Sequence, residues 1–227
     1  LDPKEFKSRL VELFKEIKKK KVANLILDLR QNIGGYRINA INLFSFLTEK
    51  PFKQRIAEST VTDTLPKERY VIHSMSDYNE FFKTYFASAD KEVGRWILTK
   101  DHAQAEMIPY KSPFKGKVYV LIGGNTFSAA SAFALNAKNS QEITLIGNET
   151  GGGYYFHTAQ YSALYELPNS KILVRMPFVH IDKYVLDKSV PKGSGILPDI
   201  EVEQTVEDLI DGIDTQLDYI VKHLNEK

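Results

Sequence analysis

The sequence predicts an α/β fold, and three observations carry that prediction. At the N-terminus an amphipathic helix, an apolar strand, a glycine turn and a second helix follow one another. Val118 to Ile122 is a second apolar strand, running through a turn into an alanine-rich helix. Ile143 to Gly147 is a third. Strands that are apolar at nearly every position belong to sheets buried on both faces.

The elements follow in order. Asp2-Pro3-Lys4-Glu5 reads as an N-cap, a proline at the first helical position and a capping acid. Phe6, Leu10, Leu13, Phe14 and Ile17 keep helical spacing, which predicts an amphipathic helix over 3–20. Lys18-Lys19-Lys20-Lys21 closes it, where cations offset the helix dipole, so the run reads as a solvated helix end rather than a nucleic-acid patch. Val22 to Leu29 is the first strand. Ile38, Ile41, Phe44, Phe46 and Leu47 mark a second helix after Gly34-Gly35. Residues 50–115 read as an insertion or cap, either covering a site or offering a partner surface, with a plain helical excursion onto the sheet as the simpler reading. Within them Ser59 to Thr64 alternates weakly, Tyr78 to Phe86 is helical and aromatic, and Trp96 and Ile97 are isolated apolar residues. Phe127 to Ala137 is a helix whose small residues let it lie close to its neighbours. Tyr161 to Leu167 and Lys171 to Pro177 flank Pro168-Asn169-Ser170 as a hairpin. Residues 178–198 read as loop, and Leu209, Ile213, Leu217, Ile220 and Leu224 as one final amphipathic helix.

Composition sets the bounds. The 227 residues suffice for one large domain or two small ones. A 43% apolar and 26% charged content is that of an ordinary globular chain, and a net charge of +1 gives no push towards nucleic acid. With no cysteine, a disulfide framework and a thiol nucleophile are both excluded. No apolar run approaches the ~20 residues of a membrane span. The chain opens on Leu1 with no visible signal peptide, and is expected to be a fragment or a mature product lacking upstream segments.

Two stretches are spaced as halves of one acyl-transfer site. Asn24 to Gly35 is a strand running into a glycine turn. Val118 to Asn139 is a strand, a turn and a helix with a serine at its start. Acyl transfer needs an exposed hydroxyl and nearby backbone N–H groups for the tetrahedral intermediate. Ser128 is the candidate nucleophile. A serine before a helix is more often a cap, and Thr126 competes for that role, but Gly123-Gly124-Asn125 before Ser128 and Ala129-Ala130 after it leave room for a carbonyl to reach the hydroxyl and the Ala129 N–H. Gly34 and Gly35 are the candidate oxyanion partners, and also a turn needing positive φ. Gly151-Gly152-Gly153 lacks the Lys-Ser or Lys-Thr pair of a phosphate loop, and reads as a flexible crossing. Glu149, just before it, either polarises a base or is solvated. The five histidines, His73, His102, His157, His180 and His223, form no pair with metal-ligand spacing, so no metal or cofactor is expected. His157 is the leading candidate base within the chain, against a plain strand-surface reading; His180 follows it, in the later loop. Asp28 and Arg30 are expected to fix the strand-end turn.

These motifs resemble those of the C-terminal processing, or tail-specific, serine peptidases. LILDLRQNIGG resembles their Asp-Leu-Arg-x-Asn-x-Gly-Gly segment, and NTFSAASAFALNAKN resembles their Thr-x-Ser-Ala-[Ser/Ala]-Glu segment, with the nucleophile on Ser128. LIGNETGGG resembles Gly-Glu-x-Thr-x-Gly, and GILPDIEVEQTVEDLIDGIDTQLDYIV resembles a Gly-x-x-Pro-Asp ending. LPNSKILVRMPF resembles the branch of Bacteroidetes-type bacteria, close to tricorn core proteases. The resemblance implies a crotonase-like ββα superhelix of the ClpP/crotonase type as a single catalytic domain over 1–227. It implies a serine endopeptidase acting through a Ser128 acyl-enzyme on peptides or unfolded proteins, bound by strand addition, in the periplasm or outside the cell. Three departures stand out. Gly153 occupies the position of the family's lysine base, Ser131 replaces the acid three residues after the nucleophile, and the PDZ module that commonly goes with the catalytic domain is not expected within these 227 residues. The tricorn-like branch takes its base from a histidine upstream of the Asp-Leu-Arg strand. The alternatives are a non-catalytic relative that binds a peptide or hydrophobic ligand, and a crotonase-type thioester enzyme.

Overall fold

The computed structural model describes residues 2–74, 78–92, 94–98 and 105–225; His102 lies outside them. In chain order the elements are α1 (Pro3–Lys19), β1 (Asn24–Asp28), α2 (Arg37–Ser45), β2 (Arg55–Thr60), β3 (Val71–Ser74), α3 (Tyr78–Tyr85), β4 (Asp90–Glu92), β5 (Arg95–Leu98) and β6 (Lys117–Ile122). They continue with α4 (Ser128–Ser140), β7 (Ile143–Gly147), β8 (Phe156–His157), β9 (Ser162–Glu166), β10 (Leu173–Pro177), β11 (His180–Lys183), β12 (Ile200–Glu201), α5 (Val206–Ile210) and α6 (Thr215–Asn225). The chain divides into two compact units, one of residues 1–52, 106–154 and 185–227, the other of 53–105 and 155–184. Of the segment 50–115, expected as an insertion or cap, residues 53–105 fall in the second unit together with 155–184, and they are not a plain helical excursion: they hold β2, β3, β4 and β5 beside the helix α3.

The first unit is built on a parallel sheet in the order β1-β6-β7-β12. Its central strands are the apolar runs of the sequence. Val120, Ile122 and Leu145 are fully enclosed, which a sheet covered on both faces requires. Asp2 caps α1 by accepting the Lys4 N–H at 2.9 Å, and Leu10, Phe14 and Ile17 form its buried stripe. Phe14 stacks on Phe46, and Phe44 of α2 meets Phe133 of α4 edge to face. Alternation along β6 and β7 sends Tyr119, Leu121 and Ile146 to a cluster with Ile220 of α6. Asp199 recruits the short β12: its N–H donates to Leu145 O and its carboxylate accepts the Leu145 N–H, both at 2.8 Å.

The single final helix expected from apolar spacing is two helices. Gly212, at φ +70°, ends α5 in a Schellman turn: its N–H donates to Leu209 O and the Ile213 N–H donates to Asp208 O. The apolar period runs on across this break, which hides it.

The second unit holds two antiparallel sheets, ordered β10-β9-β3 and β4-β5-β2-β11-β8. The hairpin expected around Pro168 is β9–β10, with Leu173 opposite Glu166 and Pro177 opposite Ser162. The aromatics of α3 pack into a core with Phe86, Leu98, Val179 and Ile181, and Phe82 meets Trp96 edge to face. Part of the interior is polar. Arg55 donates to Glu58 at 2.5 Å and to Gln160, and the Tyr85 hydroxyl donates to the other Glu58 oxygen at 2.7 Å. Residues 178–198 are not all loop: they contain β11, which pairs with β2 and β8. Four residues between prolines and glycines carry too little alternation to mark a strand, and its partners are far away in sequence.

Together the units make a mixed α/β fold with a parallel sheet.

Candidate active site

The two stretches spaced as half-sites meet at the C-terminal ends of β1 and β6. Three hydrogen bonds join the turns leaving those strands. The Leu29 N–H donates to Leu121 O at 2.9 Å, continuing the ladder. The buried Thr126 hydroxyl donates to Leu29 O at 2.8 Å and accepts the Gly123 N–H at 3.0 Å, so one side chain ties both turns. The Phe127 N–H donates to Asn32 O at 3.1 Å. On the surface, Asn125 adds a bond to Gln31.

Ser128 sits where this junction enters α4. It is solvent-exposed and holds φ at +49°, a left-handed conformation that costs a residue with a Cβ roughly 1–3 kcal/mol. Phe127 precedes it in extended geometry and serves as N-cap without a side-chain bond. Ser128 is therefore not the cap that a serine before a helix usually is. Its hydroxyl has no hydrogen-bond partner among the described residues.

The glycine turn lies directly against it. At Gly34, φ is +104°, and a Cβ there would fall 2.5 Å from Ser128 Cβ and 2.9 Å from both Ala129 N and Phe127 O. Only glycine permits that approach. The Gly34 N–H is already committed, donating to Asn32 Oδ1 at 2.9 Å in an Asx turn. The N–H groups of Gly35 and Ala129 have no acceptor among the described residues. Both residues border a cavity of about 400 Å³ walled by Leu29, Tyr36, Ala40, Leu43, Ala130 and Phe133, with Asn32 and Asn39 at its polar side. An exposed hydroxyl, two unpaired N–H donors and an apolar cavity occupy one small region.

The other candidate residues have visible positions. The Glu149 carboxylate accepts the Gly195 N–H at 2.5 Å. Beside it the Thr150 hydroxyl accepts the Ile196 N–H and donates to Gly152 O. Gly153 forms an isolated bridge with Gly195. The glycine run is thus a clasped crossing, and packing explains its composition: a Cβ on Gly152 would lie 2.2 Å from Ser131 Oγ. Ser131 is buried and donates to Ser128 O at 2.9 Å. His157 lies in the second unit, on β8, paired with Ile181. His180 is in the same unit on β11, bonded to Asp182 at 3.0 Å and stacked on Phe156.

Asp28 and Arg30 do fix the strand-end turn. Arg30 makes a two-pronged contact with Asp214 (2.6 and 2.7 Å) and another with Asp28 (2.6 and 3.0 Å), tying the turn to the start of α6. The guanidinium hydrogen bonds hold both carboxyls below the usual range, and the carboxylates, Asp214 foremost, raise the guanidinium further. Sequence reasoning passed over Asn32 as a positioning residue and took Thr126 only as a rival cap. The signal for Asn32 was present, since an Asn two residues before a Gly pair is an Asx-turn pattern. Among the described residues no cluster of His, Asp or Glu has metal-binding geometry, and no helix is long and apolar enough to cross a membrane.

Comparison with known proteins follows the same lines. Residues 3–202 match the model of peptidase family S41. Among solved structures, a candidate peptidase from Parabacteroides merdae is 19% identical, with a TM-score of 0.56 over 96% of this chain and 56% of that one. A candidate S41 protease from Bacteroides fragilis is 17% identical, with a TM-score of 0.57 over 96% and 49%. Mature CPAF complexed with lactacystin is 17% identical, with a TM-score of 0.56 over 91% and 44%. The chain therefore spans about half the length of these structures, and at such identities the likeness is one of fold. No curated protein matches the chain.

Proposed function

The chain belongs to peptidase family S41, and from that premise we propose that it is the catalytic portion of a serine endopeptidase with Ser128 as nucleophile. One observation carries the reading: Ser128 is exposed and strained at a strand–turn–helix junction, with Gly34 packed on its Cβ and the unpaired N–H groups of Gly35 and Ala129 beside it. A fold does not select its chemistry; this local arrangement is what acyl transfer needs.

In the proposed reaction Ser128 Oγ attacks the scissile carbonyl carbon and gives up its proton to a general base. The carbonyl oxygen becomes an oxyanion held by the N–H groups of Gly35 and Ala129, the latter in the first turn of α4, where the helix dipole adds positive potential. The Asx turn removes Gly34 as a donor and leaves the role to Gly35. Collapse breaks the C–N bond, the amine leaves with the proton from the base, and water hydrolyses the Ser128 ester by the same route. The cavity lined by Leu43 and Phe133 takes an apolar substrate side chain. With Gly153 at the position of the family's lysine, no amine is available there, so the base is a different group. Substrates are extended peptides or unfolded chains, the overall fold is the crotonase-like superhelix, and the setting is the periplasm or the cell exterior, all three by family likeness.

The test is labelling by a fluorophosphonate probe, with Ser128→Ala in parallel. Labelling of the parent and none of the variant supports the nucleophile. No labelling of the parent between pH 6 and 10, or labelling that survives Ser128→Ala, overturns it.

A further inference from the structure

A cavity of the first unit lies at the opposite end of the parallel sheet from Ser128. It encloses about 800 Å³ between the end of α1, the connection 21–24 and the segment 112–117 that leads into β6. We propose that this cavity binds an anionic amphiphile, a long-chain carboxylate whose chain lies on the floor and whose head group meets the lysine rim.

Its walls are built for two chemistries. Phe14 and Ile17 of α1 form a buried floor, extended by Val22, Pro113 and Phe114. The floor is fixed before any ligand arrives. Phe14 stacks on Phe46 at 4.8 Å, and the Phe114 N–H donates to Phe46 O at 2.7 Å. Gly116 lets the chain pass over the Phe114 ring, since a Cβ there would fall 2.4 Å from that ring and 2.3 Å from Ala23 O. Above this apolar surface stand Lys18, Lys21, Lys115 and Lys117, against one acid, Glu142. Glu142 is held by Lys50 at 2.8 Å, and Lys115 is paired with Glu49 at 2.9 Å. Among the described residues Lys18 has a neutral partner, Ser112 at 3.2 Å, and neither it nor Lys21 nor Lys117 forms an ion pair. Three cations without a counter-charge thus rim an apolar cavity. Their methylene stems extend the floor and their ammonium groups collect at the mouth. A concave wall of one sign concentrates counter-ions. The complement of such a site carries one localised negative charge on a hydrocarbon body. A neutral amphiphile leaves the rim unmatched, a cationic one is repelled, and a small anion leaves the floor wet.

Calorimetric titration of the full chain with dodecanoate, below its micelle concentration, tests this, alongside dodecyltrimethylammonium and inorganic phosphate. One equivalent of dodecanoate is expected to bind, at least about tenfold more tightly than either control. Lys18→Glu with Lys117→Glu, both at exposed positions, is expected to weaken dodecanoate by about tenfold or more with the circular dichroism spectrum of the folded chain retained. Amide shifts on binding are expected at residues 14–24 and 112–117. Equal affinity for the cationic amphiphile, no effect of the charge reversals, or shifts centred on Gly35 and Ala129 would each overturn the proposal. None of these readouts depends on whether Ser128 reacts.

Discussion

Replacing Gly34 by alanine should disable the site while leaving the fold in place. The added Cβ would sit 2.5 Å from Ser128 Cβ and 2.9 Å from Ala129 N and Phe127 O. Two of those three atoms are backbone and cannot rotate away. Carbon atoms rest at about 3.5–4.0 Å, so the turn must retreat from Ser128 by about 1 Å. A 1 Å misplacement of a reacting group costs about 10²-fold in rate. The strain of an alanine at φ +104° adds about 1–3 kcal/mol to the folded state. Gly35→Ala is the control: its φ is +146° but its Cβ would meet nothing within 4 Å, so it shares the strain without the collision. The assay is the second-order rate of fluorophosphonate labelling, with thermal melting followed by circular dichroism. Gly34→Ala should label about 10²-fold more slowly, and Gly35→Ala less than about tenfold more slowly. A folded Gly34→Ala protein that labels at the parental rate would refute the claim that this turn positions Ser128. Equal losses in the two variants would assign the effect to strain rather than contact.

Three other outcomes are expected. Thr126→Val removes the hydroxyl that joins Leu29 O to the Gly123 N–H; Leu29 O keeps the Asn32 N–H, while the buried Gly123 N–H loses this acceptor. It should cost about 1–3 kcal/mol in urea unfolding and slow labelling of Ser128. Asp28 and Asp214 have lowered native pKa values because Arg30 hydrogen-bonds both, so their contribution is complete above the unfolded value of about 4 and is lost as pH falls through the lower native values. Melting curves from pH 6 down to pH 2 should therefore show a loss of stability that Arg30→Ala flattens, beginning from a lower plateau. Lys183 is buried, and desolvation, then Arg55, pulls its pKa to about 8. Between that value and the unfolded value of about 10.4 the unfolded chain binds more protons, so stability rises with pH across that window; Lys183→Met should abolish the rise.

What the sequence displayed followed from local physics. Two strands buried on both faces, β6 and β7, declared themselves as apolar runs, and Asp2 declared the start of α1; the equally apolar run of β1 is an edge strand and only half-buried, because an apolar run does not tell a central strand from an edge. The Gly34-Gly35 and Ser128 pairing was legible because both lie in short motifs of characteristic spacing. Less was visible where a residue's role depends on a distant partner. β11 pairs with β2 across more than a hundred residues of chain, so His180 to Lys183 looked like loop. Gly34 and Gly35 are equivalent as letters, and only the Asn32 side chain, by occupying the Gly34 N–H, sets the two apart. Gly212 was overlooked because the apolar spacing from Leu209 to Leu224 continues through the break it makes.

The route of the chain through its two units has a consequence for how the protein is made. The first unit is assembled from three separate stretches, and the second from two that lie between them. Asp199, whose main chain and side chain both hold Leu145, is among the last residues of the sheet to leave the ribosome. The parallel sheet therefore cannot be completed until residues 200–201 have been synthesised, after every other described strand of both units. Folding must wait on loop closures that span the intervening unit, the topology that folds most slowly. Until then β7 presents an unpaired apolar edge, a surface on which nascent chains associate. Expression should be most sensitive to truncations that remove residues 199–201, although they lie far along the chain from Ser128.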